Sequence, residues 1–264
     1  MQSTLIEHRN ARLYNMRHVD RALRPVGRVN PPKMLPKQAQ TAHGRPKNAR
    51  VSDPAKAETI VRECEGGTAV LFATGPGLTE EAVDAVLEAR KHKKLYLFGC
   101  NDSYQILPCL DVHYACDANW WRIHYAKMEG YPVTHGMWTQ EPHMSKSVYP
   151  NLRRIAGRGG KGLSTAQDGI IFGNNSGYQL INVALLFGIK RMILCGYNMS
   201  VIDKKRHFFG DHPQGLNRSG NYTGFVGNFK TIKPDDYGIE IVNTTPQSAL
   251  KMFPVMTLEE ALKL

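Results

Sequence analysis

"AVLFATGPGLTEEAVDAVLEARKHKKLYLFG", residues 69–99, reads as strand, turn, helix and strand in succession. Residues 69–74 (AVLFAT) form a short apolar run of the kind that fills a buried strand. The run breaks at Thr74-Gly75-Pro76-Gly77, and residues 79–92 then take up helical periodicity. Thr79 stands where an N-cap belongs, Glu80 and Glu81 follow at the positive end, and basic residues close the last turn. Val83, Val86 and Leu87 share one face at i, i+3 and i+4, a stripe suited to packing on a sheet. Residues 94–99 (KLYLFG) are a second strand. A strand joined to a strand through a helix implies parallel pairing.

The alternation continues downstream. Residues 111–116 (DVHYAC) are a third candidate strand, followed by a helix over 118–129 that Gly130 would stop. Residues 131–168 read as irregular, with "GRGGKG" at 157–162 as a mobile basic loop. Residues 169–173 (GIIFG), the turn "NNSG" at 174–177, a helix over 178–187 and a strand over 191–196 (RMILCG) read as one β-α-β unit. The segment 199–237 is rich in Gly, Asn and Asp and shows no strong periodicity, and such long segments are commonly functional. A last strand at 239–243 and a closing helix at 257–264 complete the pattern. The expected fold class is α/β, a doubly wound, mainly parallel Rossmann-like sheet with a basic, extended N-terminal arm.

Charge divides the 264 residues into two parts. Residues 1–56 hold 12 Lys and Arg against 3 Asp and Glu, whereas the remaining 22 basic and 20 acidic residues nearly cancel. The arm is rich in Pro and poor in large apolar residues after Val29, so extended or disordered chain is expected, with a short helix possible in the first 22 residues. The expected organisation is a 1–56 arm and a 57–264 nucleotide-binding transferase domain. An arm of this charge attracts polyanions such as nucleic acid without sequence specificity, or serves as a solubilising or subunit-wrapping tail. No apolar run reaches the length of a membrane span, and no secretory signal is evident. Of five cysteines without CxxC spacing, Cys100, Cys116 and Cys195 sit in strand-like apolar runs as reduced core thiols do, and the expected location is cytoplasmic.

Polar groups gather at the predicted strand ends, where open α/β sheets bind ligands. Gly75 and Gly77 permit positive φ and close backbone approach, and the 79–92 helix presents free N–H groups beside them. The plainer reading of this turn is a tight β-α connection with no ligand. Asn101 and Asp102 in "CNDSY" offer an amide and a carboxylate to a ribose or base. Asn175 and Ser176 in "NNSG" stand at a helix start suited to phosphate. Thr245, Gln247 and Ser248 in "NTTPQS" stand at another strand-to-helix corner. Each corner taken alone reads more simply as helix capping. Asp117 ends the third strand and could meet an acceptor or a metal. Trp120 and Trp121 in "CDANWWRIHY" could stack on a sugar or base, or serve as helix core. Residues 143–162, with no acidic residue, could cover an anionic substrate or be a solvated loop.

The ordered set "ATGPGL", "CNDSY", "NNSGYQLINVALLFGIKRMILCGYN" and "TPQSAL" resembles bacterial sialyltransferases that use CMP-activated sialic acid. It is also similar to a wider Rossmann-like group containing hydroxymethylpterin diphosphokinases and phage proteins. The resemblance covers roughly residues 66–255. It implies a glycosyltransferase whose nucleotide-sugar donor is held by Thr74, Gly75, Pro76, Gly77, Asn101, Asp102, Asn175, Ser176, Gly177, Asn198, Thr245, Gln247 and Ser248. The family's general base is a His in the segment after the "GYN" strand, which matches His212 first and His207 second. Two loop positions depart from the family, with Thr74 for its Asn and Gly77 for its Ser. The tyrosines that stabilise the leaving phosphate correspond to Ser200 and roughly Phe208; Lys204, Lys205 and Arg206 would supply charge instead. These departures favour a donor other than CMP-sialic acid. No tightly bound cofactor and no metal site are expected. The acceptor could be anionic, such as a modified base in phage DNA, and the chain could be a homo-oligomer. The alternatives are a Mg²⁺-dependent pyrophosphoryl transferase of the pterin kinase type, using Asp102 and Asp117, and a non-catalytic nucleic-acid-binding or virion-assembly protein.

Overall fold

The computed structural model describes residues 56–210 and 220–263. The 1–55 stretch, holding nearly all of the basic arm, and His212 lie outside the described residues.

The opening stretch folds as its pattern dictates. Strand β1 (Thr68–Phe72) leads into α1 (Glu80–His92) and then β2 (Tyr96–Cys100), which pairs parallel to β1. Thr79 caps α1, its hydroxyl accepting from the Ala82 N–H at 3.2 Å. Val83 and Val86 are fully buried and Leu87 packs beside them. Along β1 the side chains alternate between two cores, Ala69 and Leu71 entering one and Val70 and Phe72 the other.

After β3 (Val112–Tyr114), α2 (Ala118–Met128), β4 (Met137–Thr139) and β5 (Leu152–Arg154), the chain makes a small pair, β6 (Ala156–Arg158) and β7 (Gly169–Ile171). Helix α3 (Ser176–Leu186) then returns it to β8 (Arg191–Cys195). A helix α4 (Tyr222–Phe229), the last strand β9 (Glu240–Asn243) and α5 (Leu258–Lys263) follow. Seven strands form one parallel sheet in the order β5-β4-β3-β2-β1-β8-β9. The fold is α/β and Rossmann-like. Strand order reverses between β1 and β8, and that switch point is where such sheets open a crevice.

Four readings of the sequence need correction. Residues 131–168 are not irregular, since β4 and β5 extend the large sheet to its edge. Strands of three residues are too short to show alternation. The 169–196 stretch is not a β-α-β unit of one sheet: β7 pairs with β6, and β8 pairs with β1 and β9. Helix α3 touches β1 and β2 as well as β7, and all eleven of its residues are buried. A helix enclosed in this way carries no solvent-facing polar stripe; its polar Gln179 and Asn182 are turned to internal hydrogen bonds with Tyr114, Phe172, Ser164 and Ile171. That helix also begins at Ser176, two residues earlier than its periodicity indicates, because Asn175 caps it by accepting from the Tyr178 N–H at 3.1 Å. Finally, the 199–237 segment contains α4 and a 3-10 helix over Pro234–Tyr237.

Candidate functional site

A cavity of about 550 Å³ opens at the carboxyl edge of the sheet, across the switch point. That volume lies within the ~300–1,000 Å³ range of small-molecule sites. The segments after six strands reach it: Ala73, Thr74 and Gly75 after β1, Asn101 after β2, Cys116 and Asp117 after β3, Gln140 after β4, Phe172 and Asn174 after β7, and Gly196, Met199, Ser200, Arg206 and His207 after β8. The starts of two helices also line it, Asn175, Ser176 and Gly177 from α3 and Asn221 and Tyr222 from α4. The first N–H groups of a helix have no partner within it and carry its positive end, so both starts favour an anion.

The glycines of the 74–77 turn answer to close packing. Neither adopts a left-handed φ. The Gly75 N–H donates to the Gly196 carbonyl at 2.9 Å, and the Gly77 N–H donates to Asn198 Oδ1 at 2.7 Å. A methyl on Gly75 would fall on the Gly196 carbonyl oxygen and 2.5 Å from Asn198 Oδ1. Asn198 is fully buried, and its Nδ2 donates to the Pro246 carbonyl at 3.0 Å. One amide therefore ties together the segments following β1, β8 and β9.

Thr245 and Ser248 belong to this brace. Thr245 Oγ1 accepts from the Tyr197 N–H at 2.8 Å, and the Ser248 hydroxyl donates to the Tyr197 carbonyl at 2.6 Å. Pro76, Gly77, Asn198, Thr245, Gln247 and Ser248 are not among the residues lining the cavity, and neither is Asp102. Lys204 and Lys205 do not line it either; Asp203 and Lys204 both have positive φ, in a tight turn closed by hydrogen bonds between Ile202 and Lys205. Arg206 is the basic residue of that trio that reaches the cavity.

Beneath Asn101 lies a buried aromatic and polar cluster. Asp102, 1% exposed, accepts from Trp120 Nε1 at 2.9 Å and from Gln105 Nε2 at 2.6 Å. Trp120 lies between His113 and His124, stacked on each, with ring centroids at 5.1 and 4.5 Å. Trp121 Nε1 donates to the Ala115 carbonyl at 2.9 Å. Both tryptophans are core, the plainer of their two readings. Burial pushes the His113 pKa down to about 4, so its ring is neutral near pH 7. Its Nε2 donates to the Asn101 carbonyl at 2.9 Å, beneath a residue held at φ 48°.

His207 Nδ1 and Thr74 Oγ1 are 3.1 Å apart, and the ring stacks on Phe209. Tyr222 lies in the electrostatic reach of Arg206; burial, the larger effect, raises its pKa and keeps the phenol protonated. Cys116 Sγ and Ser176 Oγ are 3.0 Å apart, and burial raises the thiol pKa so far that it is a neutral hydrogen-bonding group rather than a nucleophile. Of the two positions where the resemblance leads one to expect tyrosine, Ser200 lines the cavity whereas Phe208 packs into the apolar core on the α1 side. Sequence reasoning missed Tyr222, Phe225, Gln140 and Phe172 as lining residues. No residue of 143–162 lines the cavity.

No protein-family model matches the chain, and no curated protein matches it. Among solved structures, one that is similar is the sialyltransferase CstII from Campylobacter jejuni, determined in complex with a substrate analogue, cytidine-5′-monophosphate. The likeness has a TM-score of 0.48 at 13% identity and covers 72% of this chain and 84% of that one. Among the described residues, no group of three or more His, Cys, Asp or Glu is placed to hold a metal ion, and no helix is long and apolar enough to cross a membrane.

Proposed function

We propose that the cavity binds the phosphate-bearing part of a nucleotide-activated sugar and that the chain transfers the sugar to an acceptor hydroxyl, as a glycosyltransferase. The observation carrying this reading is convergence. Segments that follow β1, β2, β3 and β8 meet two helix starts, a guanidinium and an imidazole around one cavity at the switch point. The phosphate sits against Ser176, Gly177 and Arg206, with the neutral Tyr222 phenol donating to the leaving oxygen; such donors act where charge develops as the glycosidic bond breaks.

His207 is the base in this scheme. With Nδ1 protonated and donating to Thr74 Oγ1, the ring carries its basic lone pair on Nε2, which takes the acceptor proton as the acceptor oxygen attacks the anomeric carbon. His212 is the second candidate for the same role.

The test pairs binding with turnover. A panel of nucleotides and nucleotide sugars is screened by thermal shift. A ligand at 100 times its Kd adds about 2.7 kcal/mol, which in a domain of this size raises Tm by roughly 5–10 °C. His207→Ala should then lower turnover by two orders of magnitude or more while leaving donor affinity within a factor of about three. No shift with any nucleotide at saturation would overturn the reading; full activity in His207→Ala would move the base to another residue.

A further inference from the structure

Resting on that reading, we propose that Asp117 faces the transferred sugar and selects an uncharged, hydroxyl-bearing ring over a carboxylated one. Asp117 holds the N-cap position of α2, where an Asp side chain ordinarily folds back onto the helix. Here it makes no capping bond; among the described residues its Oδ2 receives the Cys116 thiol alone, at 3.5 Å, and the residue is exposed and lines the cavity.

Its surroundings have the composition of a carbohydrate site. Gln140 lines the cavity and its Nε2 donates to the Cys116 carbonyl at 3.4 Å. The Phe172 ring, 38% exposed, lines the cavity as well, and both it and the Gln140 amide border the space beside Gly157. An aromatic ring takes the apolar face of a sugar, while a carboxylate and an amide take its hydroxyls.

The opposite end suits the nucleotide. His207 lies against Thr74, which follows β1, and Asp117 follows β3, two strand spacings away, or roughly 10 Å at the sheet. Tyr222 stands within the electrostatic reach of Arg206, and Phe225 lies 6.2 Å from it with its ring perpendicular, so one of the two rings is free to turn a flat face to a base next to the phosphate. The phosphate takes the cations, and a second anion on the ligand would meet Asp117. Its charge already adds to burial in keeping the Tyr114 phenol and the Cys116 thiol protonated. A ligand carboxylate would meet the same repulsion.

Matched donors test this directly: UDP-glucose against UDP-glucuronate, and GDP-mannose against GDP-mannuronate, with UDP and GDP alone as the nucleotide arm. Titration calorimetry should show the parent binding the neutral sugar of the productive pair at least ~10-fold tighter than its uronate. The isosteric Asp117→Asn should narrow that ratio about tenfold, with affinity for the bare nucleotide changed less than twofold and the ligand-free Tm unmoved. An unchanged ratio in Asp117→Asn, or a parent that binds the uronate as well as the hexose, would overturn the proposal while leaving the nucleotide site standing. Equal weakening of bare nucleotide and nucleotide sugar would also overturn it, by placing Asp117 on the ribose. Failure of every nucleotide and nucleotide sugar in the wider panel to bind would remove the underlying reading as well.

Discussion

Replacing Gly75 by Ala separates two reasons a glycine can stand after β1. If the residue is small so that a phosphate can approach, the methyl weakens ligand binding and spares stability. If it is small so that the 74–77 turn can lie against the end of β8, the methyl destabilises the fold. The structure favours the second, because the added carbon falls on the Gly196 carbonyl oxygen and 2.5 Å from Asn198 Oδ1. A backbone oxygen cannot swing aside as a side-chain tip can, so the turn must move and strain its 2.9 Å bond from Gly75 N to Gly196 O. Overpacking of this kind costs about 1–3 kcal/mol and the lost hydrogen bond about 1 more. A net loss of about 3 kcal/mol corresponds to a Tm lower by roughly 6–12 °C for a domain of this size. Gly77→Ala is the internal control. Its methyl would sit 3.0 Å from Asn198 Oδ1 and from Thr245 Cγ2, contacts that a few tenths of an ångström relieve, so its cost should stay under about 1 kcal/mol. Urea unfolding followed by tryptophan fluorescence reads both variants, since Trp120, Trp121 and Trp138 are buried. A Gly75→Ala protein within ~0.5 kcal/mol of the parent would refute the packing explanation.

Asn198→Ala should destabilise by about 2–3 kcal/mol, because it orphans the Gly77 N–H and the Pro246 carbonyl at once; a change under ~0.5 kcal/mol in urea would show that the brace is idle. His113 should stay neutral in NMR spectra of the folded protein until pH approaches 4. Its unfolded counterpart takes a proton near pH 6.5, so folding stability falls between pH 6.5 and 4, by up to roughly 3 kcal/mol from this group, and is unaffected by it above that window. A His113 resonance titrating near 6.5 would contradict the buried placement. Tyr222→Phe should lower turnover about tenfold or more with little change in ground-state donor affinity; an unchanged kcat would take the phenol out of the mechanism.

The parallel sheet was legible because β1, α1 and β2 carry separate signals that agree: an apolar run, a capping Thr79 with Glu80 and Glu81 behind it, and a Val83/Val86/Leu87 stripe. Where signals are short they vanish. β4 and β5 contribute three residues each, and their position is fixed by pairing with β3, which no local pattern encodes. The site was half legible for a related reason. Thr74, Asn101, Ser176 and Asp117 line the cavity as their places at strand ends implied, whereas Asp102, Asn198, Thr245 and Ser248, equally polar and equally close to strand ends, do not. A sequence shows that a polar side chain stands at an edge; which way it turns depends on partners many positions distant, such as Trp120 for Asp102 and Gly77 for Asn198.

Sheet geometry explains why the 245–248 corner fell on the bracing side. Neighbouring strands lie about 4.8 Å apart, so a cavity lined by the segments after β3 and β8 already spans roughly 14 Å. β9 lies one strand further out, and residues after it contact the cavity only through what they hold. What they hold is the segment after β8: Thr245 and Ser248 fix Tyr197, and the Pro246 carbonyl fixes Asn198, which in turn fixes Gly77. The same β8 connection goes on to deliver Arg206 and His207. Rigid support behind a site preserves the placement that catalysis needs. Loosening the brace should therefore reduce turnover more than affinity, and a Ser248→Ala protein that stays folded yet keeps full kcat would separate the corner from the chemistry.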